Sequence, residues 1–206
     1  MKMTRYVFAV LVVTVLSGCA GLVTTPTAFT TYDLGGISGD VNTAPTIVPA
    51  VVEVRTPSWL SSAAMQYRLD YITPASREVF AESRWAGHPS EMLQRLVSTR
   101  LATGMPGTGS CRLRVDLDEF VQTFASPEQS QTELIARVAL ITPRDDFTLA
   151  RQTFVVRMEA PVANARGGVA AHRDGARRFG DQIREWLDTL DDGQGRGLNI
   201  RQRCLG

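Results

Sequence analysis

The side chains whose types and spacing could do chemistry are three cysteines, two histidines and a short run of carboxylates. Cys19 closes Leu16-Ser17-Gly18-Cys19, a lipobox of the kind cut by the bacterial lipoprotein signal peptidase. Small residues at Ser17 and Gly18 let the chain lie extended in a peptidase cleft, and the Cys19 thiol is the group that would accept diacylglycerol. Upstream, Lys2 and Arg5 are followed by an apolar stretch from Tyr6 to Leu16, broken by Thr14. That run is too short for a bilayer core that needs ~20 helical residues. A charged start, a short apolar run and small residues describe an export signal. The expectation is cleavage before Cys19 and lipid on its sulfur, with N-acylation adding a further chain. The competing reading is an ordinary signal peptide with a chance cysteine. Each buried CH₂ contributes ~0.8 kcal/mol and stable anchoring takes about two chains, which a diacylglyceryl group supplies. Ala20, where an aspartate would favour the inner membrane, leans toward the outer membrane.

Cys111 and Cys204 are then an even pair in an oxidising compartment, where disulfides persist. They are expected to bond, joining the start of a strand to the C-terminal tail; the alternative is two separate buried thiols. His88 precedes Pro89 at a helix start and reads as a capping or loop residue. His172 lies among Arg173, Arg177 and Arg178 near a helix start and reads as solvated. Neither histidine belongs to a metal-ligand spacing. Gly36-Ile37-Ser38-Gly39 is one residue short of a nucleophile elbow. The glycine-rich stretch 104–109 follows a helix and lacks a lysine, so it reads as a loop. Asp116, Asp118 and Glu119 are close together, but beside Arg112 and Arg114 they fit a cross-strand ion-pair surface better than an acid–base pair. Trp59 and Trp85 each sit near a strand end among polar residues. Core packing is the plainer reading for both. The other is contact with a partner, since aromatics concentrate at interface hot spots. Tyr32 and Tyr67 are weighed the same way.

Composition narrows the classes further. All 21 acidic residues lie beyond residue 19, with 20 of the arginines and no lysine. That excludes Schiff-base chemistry and lysine-dependent phosphate loops there. No basic block marks a nucleic-acid surface.

The elements that must position these side chains read as one α+β domain. Residues 1–18 form the signal, 19–31 a lipidated start and flexible tether, and 32–206 the domain. Short strands are expected at Tyr32–Leu34 and Ile47–Arg55, then a helical turn over Ser58–Ala64. Met65–Tyr71 and Val79–Trp85 read as a hairpin across a turn with Pro74. Proline at the first position and Glu91 in the first turn start a helix over Pro89–Ala102. Its stripe is Leu93, Leu96, Val97, Arg100 and Leu101. Three strands in a meander follow. In the first, apolar parity switches from Leu113, Val115 and Leu117 to Phe120 and Phe124, which a β-bulge at Asp118-Glu119 would repair. Leu134 to Leu140 and Phe154 to Met158 mark the other two, with Pro143–Asp146 as the turn. A long helix over Ala170–Leu190 closes the domain, and Gly193, Gly195 and Gly197 end it. This order implies a mixed, mostly antiparallel sheet with two main helices packed on it.

Several landmarks now fall in a familiar order. They are the lipobox, Tyr32-Asp33-Leu34-Gly35, a Val-rich strand ending Arg55-Thr56-Pro57, Met65-Gln66-Tyr67-Arg68, Arg84-Trp85-Ala86 before Pro89, Cys111 to Phe120, and a closing helix with Trp186-Leu187. In this the chain resembles the ABC-type transport auxiliary lipoproteins, the paraquat-inducible protein C-like group, over about residues 30–190. The resemblance implies an outer-membrane lipoprotein facing the periplasm and no enzyme. It implies work beside a membrane-anchored MCE-domain protein in a lipid transport system, with homo-oligomeric rings in some members. No cofactor or metal is expected beyond the lipid on Cys19. No ligand-binding residue carries over, and the tail with Cys204 lies outside the pattern. Two other readings remain at this level. One is a lipoprotein activator of a peptidoglycan synthase, which a twelve-residue tether disfavours. The other is a periplasmic hydrolase using Ser38, His88 or His172.

Overall fold

A computed structural model describes residues 28–35, 45–102, 109–190 and 199–205. The expected signal, Cys19, residues 20–27 of the expected tether, Ser38 and most of the 104–109 stretch lie outside the described residues, as do Gly193, Gly195 and Gly197. The fold is α+β: a seven-stranded mixed sheet with helices on one face.

The chain joins the sheet at β1 (Thr30–Tyr32), two residues earlier than the expected Tyr32–Leu34. Thr30 and Thr31 therefore belong to the domain and not to the tether. β2 (Val51–Arg55) starts after Pro49, whose ring nitrogen cannot donate to a ladder. A short 3₁₀ turn, Ser58–Leu60, leads to β3 (Ala64–Leu69) and β4 (Glu78–Trp85), which form the antiparallel hairpin. A bulge between Ala64 and Gln66 breaks simple alternation, so Met65 and Gln66 are both buried.

Helix α1 (Pro89–Arg100) buries Leu93, Leu96 and Val97. Arg100 is not a core residue of that stripe. Its stem lies against Gly180 and its guanidinium reaches Asp181 at 3.2 Å.

The long strands β5 (Arg112–Ser126), β6 (Gln129–Ile141) and β7 (Thr148–Glu159) form the antiparallel meander. Register between β5 and β6 shifts between Leu117 and Glu119, at the position where apolar parity switches. Leu113, Val115, Leu117, Phe120 and Phe124 are all buried as a result. β5 is the spine. One edge pairs β6, and the other pairs β2 along Arg112–Asp116 and β3 along Gln122–Phe124, both in parallel. β4 lies beyond β3, and β1 runs parallel to β4 at the edge.

Helix α2 (Ala165–Thr189) starts five residues before the expected Ala170. Asn164 caps it, its side-chain oxygen accepting from the Gly167 amide at 2.9 Å. Two consecutive glycines weigh against a helix on propensity, at ~1 kcal/mol each relative to alanine. Packing requires them here. A Cβ on Gly167 would stand 1.9 Å from the Val162 carbonyl oxygen, and one on Gly168 would stand 1.9 Å from the Gln122 side-chain oxygen. The buried Gln122 amide donates to Ser130 Oγ at 2.8 Å and to the Asn164 carbonyl at 3.2 Å, tying β5, β6 and the start of α2 together. Further along, α2 buries Ala176, Phe179, Ile183, Trp186 and Leu187 against the sheet. Phe154 meets Phe179 and Trp186 edge-on. A last short helix, α3 (Ile200–Leu205), returns to the start of β5.

Candidate functional site

Cys111 and Cys204 are joined by a disulfide with Cα atoms 4.8 Å apart, across 93 residues. The clasp fixes α3 to the start of β5. The Ser110 amide and hydroxyl both donate to the Cys204 carbonyl, the hydroxyl at 2.9 Å.

The two tryptophans separate. Trp85 is 3% exposed and packs on Phe120 and His172, with ring centroids 5.5 Å from each. It is core, which removes it as a partner contact. The last residue of β4 points inward because the parallel β1 and the Ala63 carbonyl hold its backbone. Trp59 is 55% exposed. The neighbouring Leu60, 2% exposed, pins the 3₁₀ turn that displays it. Tyr67 is half-buried beside Phe80 and Phe124, at 4.6 and 5.8 Å. Tyr32 is half-buried against the core edge.

Beneath Trp59 lies a fixed polar network. The Gln66 amide donates to the Trp59 carbonyl, and Arg77 donates to Gln66 Oε1 at 2.8 Å. Arg77 and Arg68 both bind Glu119 at 2.8 Å, all three side chains being about one-fifth exposed. Glu119 can face two guanidinium groups because the bulge displaces it from Asp118.

Ion pairs continue across the helix-free face, interspersed with the exposed Val51 and Val155. Asp118 accepts two bonds from Arg137, each 2.8 Å, and this holds the guanidinium above its usual range. Arg114 meets Asp116 at 3.2 Å, Arg157 meets Glu133 at 2.6 Å, and Arg112 meets Asp146 at 2.7 Å. Each of these four carboxylates faces a guanidinium group. Among the described residues no three His, Cys, Asp or Glu side chains come together as a metal would need. No described helix is long and apolar enough to cross a membrane.

His172 overturns the expectation of a solvated residue. It is 4% exposed, stacked on Phe120 at 4.1 Å, and its Nδ1 is buried without a hydrogen-bond partner. The earlier start of α2 is the reason, because it places residue 172 within the helix on its inner face. Burial lowers its pKa from 6.5 to about 3. The unfolded chain therefore binds a proton that the folded state refuses. The proton-linked cost of burying His172 fades above pH 6.5, and stability falls as pH drops from 6.5 toward 3, by about 1.4 kcal/mol per unit. His172→Phe should keep the ring packing and remove this loss, so its advantage over wild type grows by about 2 kcal/mol between pH 7.5 and 5. Urea unfolding at both pH values measures it, and an advantage that does not change with pH refutes it. His88 sits at the start of α1, where its amide donates to Glu91 at 3.4 Å.

A lipoprotein family model, the ABC-type transport auxiliary lipoprotein component, matches residues 32–184. No curated protein matches the chain. Among solved structures, protein XCC0632 of Xanthomonas campestris is similar at 17% identity and a TM-score of 0.63, covering 80% of this chain and 99% of its own. An uncharacterised protein is similar at 13% identity and a TM-score of 0.60, covering 78% and 99%. At these identities the likeness is one of fold. The family match spans the sheet from Tyr32 to β7 and most of α2, and with it the chain belongs to the ABC-type transport auxiliary lipoprotein component family.

Proposed function

We propose that this protein is the outer-membrane-anchored docking subunit of an MCE-type lipid transport system. Lipid on Cys19 holds it at the membrane, and the helix-free face of the sheet meets the periplasmic MCE-domain protein. Family membership supports a place beside an ABC-type transporter. The observation that carries the docking role is Trp59, a large aromatic 55% exposed on a turn braced by a network of charged and polar side chains. A rigid aromatic anchor within a polar surround has the anatomy of a binding hot spot. The organisation serves recognition and not turnover.

Trp59→Ala should weaken co-purification with the MCE-domain protein by ~10-fold or more, the loss typical of a hot-spot aromatic. Its folding stability should stay within about 0.5 kcal/mol of wild type, as for most exposed substitutions. Titration of the purified MCE-domain protein against both forms reads the first and urea unfolding the second. Equal affinity would remove Trp59 from the interface, and no binding by either form would remove the proposed partner.

A further inference from the structure

We infer that the end of the domain carrying the β3–β4 turn is the end that touches the bilayer, with Tyr71, Ile72 and Val162 resting in a zwitterionic phospholipid interface. This rests on the proposed lipid anchor at Cys19.

Direction of the chain is the first observation. β1 runs parallel to β4, with Thr30 level with Ser83 and Tyr32 with Trp85. β4 begins at the β3–β4 turn, so the chain reaches Thr30 from the side of that turn. The eight residues between Cys19 and Ala28 reach at most ~30 Å. From Thr30 the turn end lies five residues down β4, or ~17 Å. The opposite end of the sheet, at Arg112, lies roughly 25 Å the other way. Presenting that end to the membrane would make the tether reverse and spend nearly its whole length.

Exposure is the second, independent observation. Ile72 is 64% exposed, Val162 58% and Tyr71 44%. One row of the sheet places them at a common end. The Asp70 amide donates to the Phe124 carbonyl at 3.0 Å, Phe124 is in register with Ser130, and the Ala160 amide donates to the Ser130 carbonyl at 2.9 Å. Tyr71-Ile72 leave one side of that row and Val162 the other. Both lie on connecting segments whose backbone can sit among headgroups without breaking the sheet. An aromatic and two aliphatic side chains at the tips suit the zone between headgroups and acyl chains. Asp70, Glu128 and Glu159 rim the same end. Even with the exposed Arg166 near Val162, these carboxylates disfavour an anionic surface relative to a zwitterionic one. At the far end, by contrast, the exposed Phe147 ring lies under the Arg203 guanidinium, 5.5 Å away.

Spin labels on the full, lipidated chain test this. Ile72→Cys, Val162→Cys and Arg144→Cys each provide one reactive thiol, with Arg144 marking the far turn. Each is placed in vesicles of phosphatidylcholine and phosphatidylethanolamine, and collision with oxygen is compared with collision with a water-soluble nickel chelate. The oxygen-to-nickel ratio should rise several-fold at 72 and 162 on vesicles, relative to the same labels on Cys19→Ala protein in buffer, and stay unchanged at 144. Anionic phosphatidylglycerol should reduce the rise. If 72 and 162 stay as water-accessible as 144 while mass spectrometry shows acyl chains on Cys19, the orientation is wrong and the anchor stands. If residue 19 is bare, the anchor fails and the orientation with it.

Discussion

Cys19→Ala, with residues 1–18 replaced by a signal that the general signal peptidase removes, should move the protein from the membrane pellet to the soluble periplasmic fraction. The expected change is close to complete, because the proposed anchor is the acyl chains and little else. At ~0.8 kcal/mol per buried CH₂, one short chain holds only marginally and two hold firmly. The folded domain has no comparable resource. No described helix can cross a bilayer, and the exposed large apolar side chains described at the turn end are few: Tyr71, Ile72, Val79 and Val162. They can orient a tethered domain but cannot retain a free one. Ultracentrifugation with immunoblotting reads the outcome, and a variant that still pellets as wild type does contradicts the anchor.

Removing the clasp at the other end has the second large effect. Cys111→Ser with Cys204→Ser should cost about 4 kcal/mol. Closing a loop of 93 residues restricts the unfolded chain strongly, and native disulfides in exported domains contribute ~2–5 kcal/mol. The folded side loses as well. Cys204 is 1% exposed and Cys111 fully buried, in the core that also takes Ile200 from α3. Urea unfolding of the variant, and of wild type with reductant, should give the same lowered midpoint. A cost below about 1 kcal/mol would show that α3 docks without its covalent bond.

Both effects follow from cysteines that stand out in the sequence, and other features were equally open to reading. The parity switch between Leu117 and Phe120 can be satisfied only by an extra residue in the strand, and β5 carries its bulge there. Hairpins announce themselves because turn and strands adjoin in sequence. Parallel pairing has no such local mark. That β2 and β3 share one edge of β5 is decided by contacts across dozens of residues. The same limit separates the two tryptophans. Trp59 and Trp85 have similar neighbours in sequence, and only the arrival of Phe120 and His172 makes one of them core. The start of α2 was hidden for a different reason. Gly167 and Gly168 argue locally for a loop, whereas close approach to Val162 and Gln122 demands their missing side chains. Misplacing that start put His172 in water. One signal could have corrected it: Asn164 followed by continuous helical spacing through Val169, His172 and Ala176, all on one face. The network that braces Trp59 was out of reach, since Gln66, Arg68, Arg77 and Glu119 meet only once the bulge has turned Glu119 toward β3.

The sheet face as a docking surface is most directly tested by photo-crosslinking in native membranes. A benzophenone side chain is placed at position 59 on the helix-free face, or at exposed position 178 on α2, in otherwise wild-type lipidated protein. Adducts with the MCE-domain protein should form from position 59 and be absent from 178. Adducts from 178 alone, or none from either position with the transporter present, would contradict the assignment.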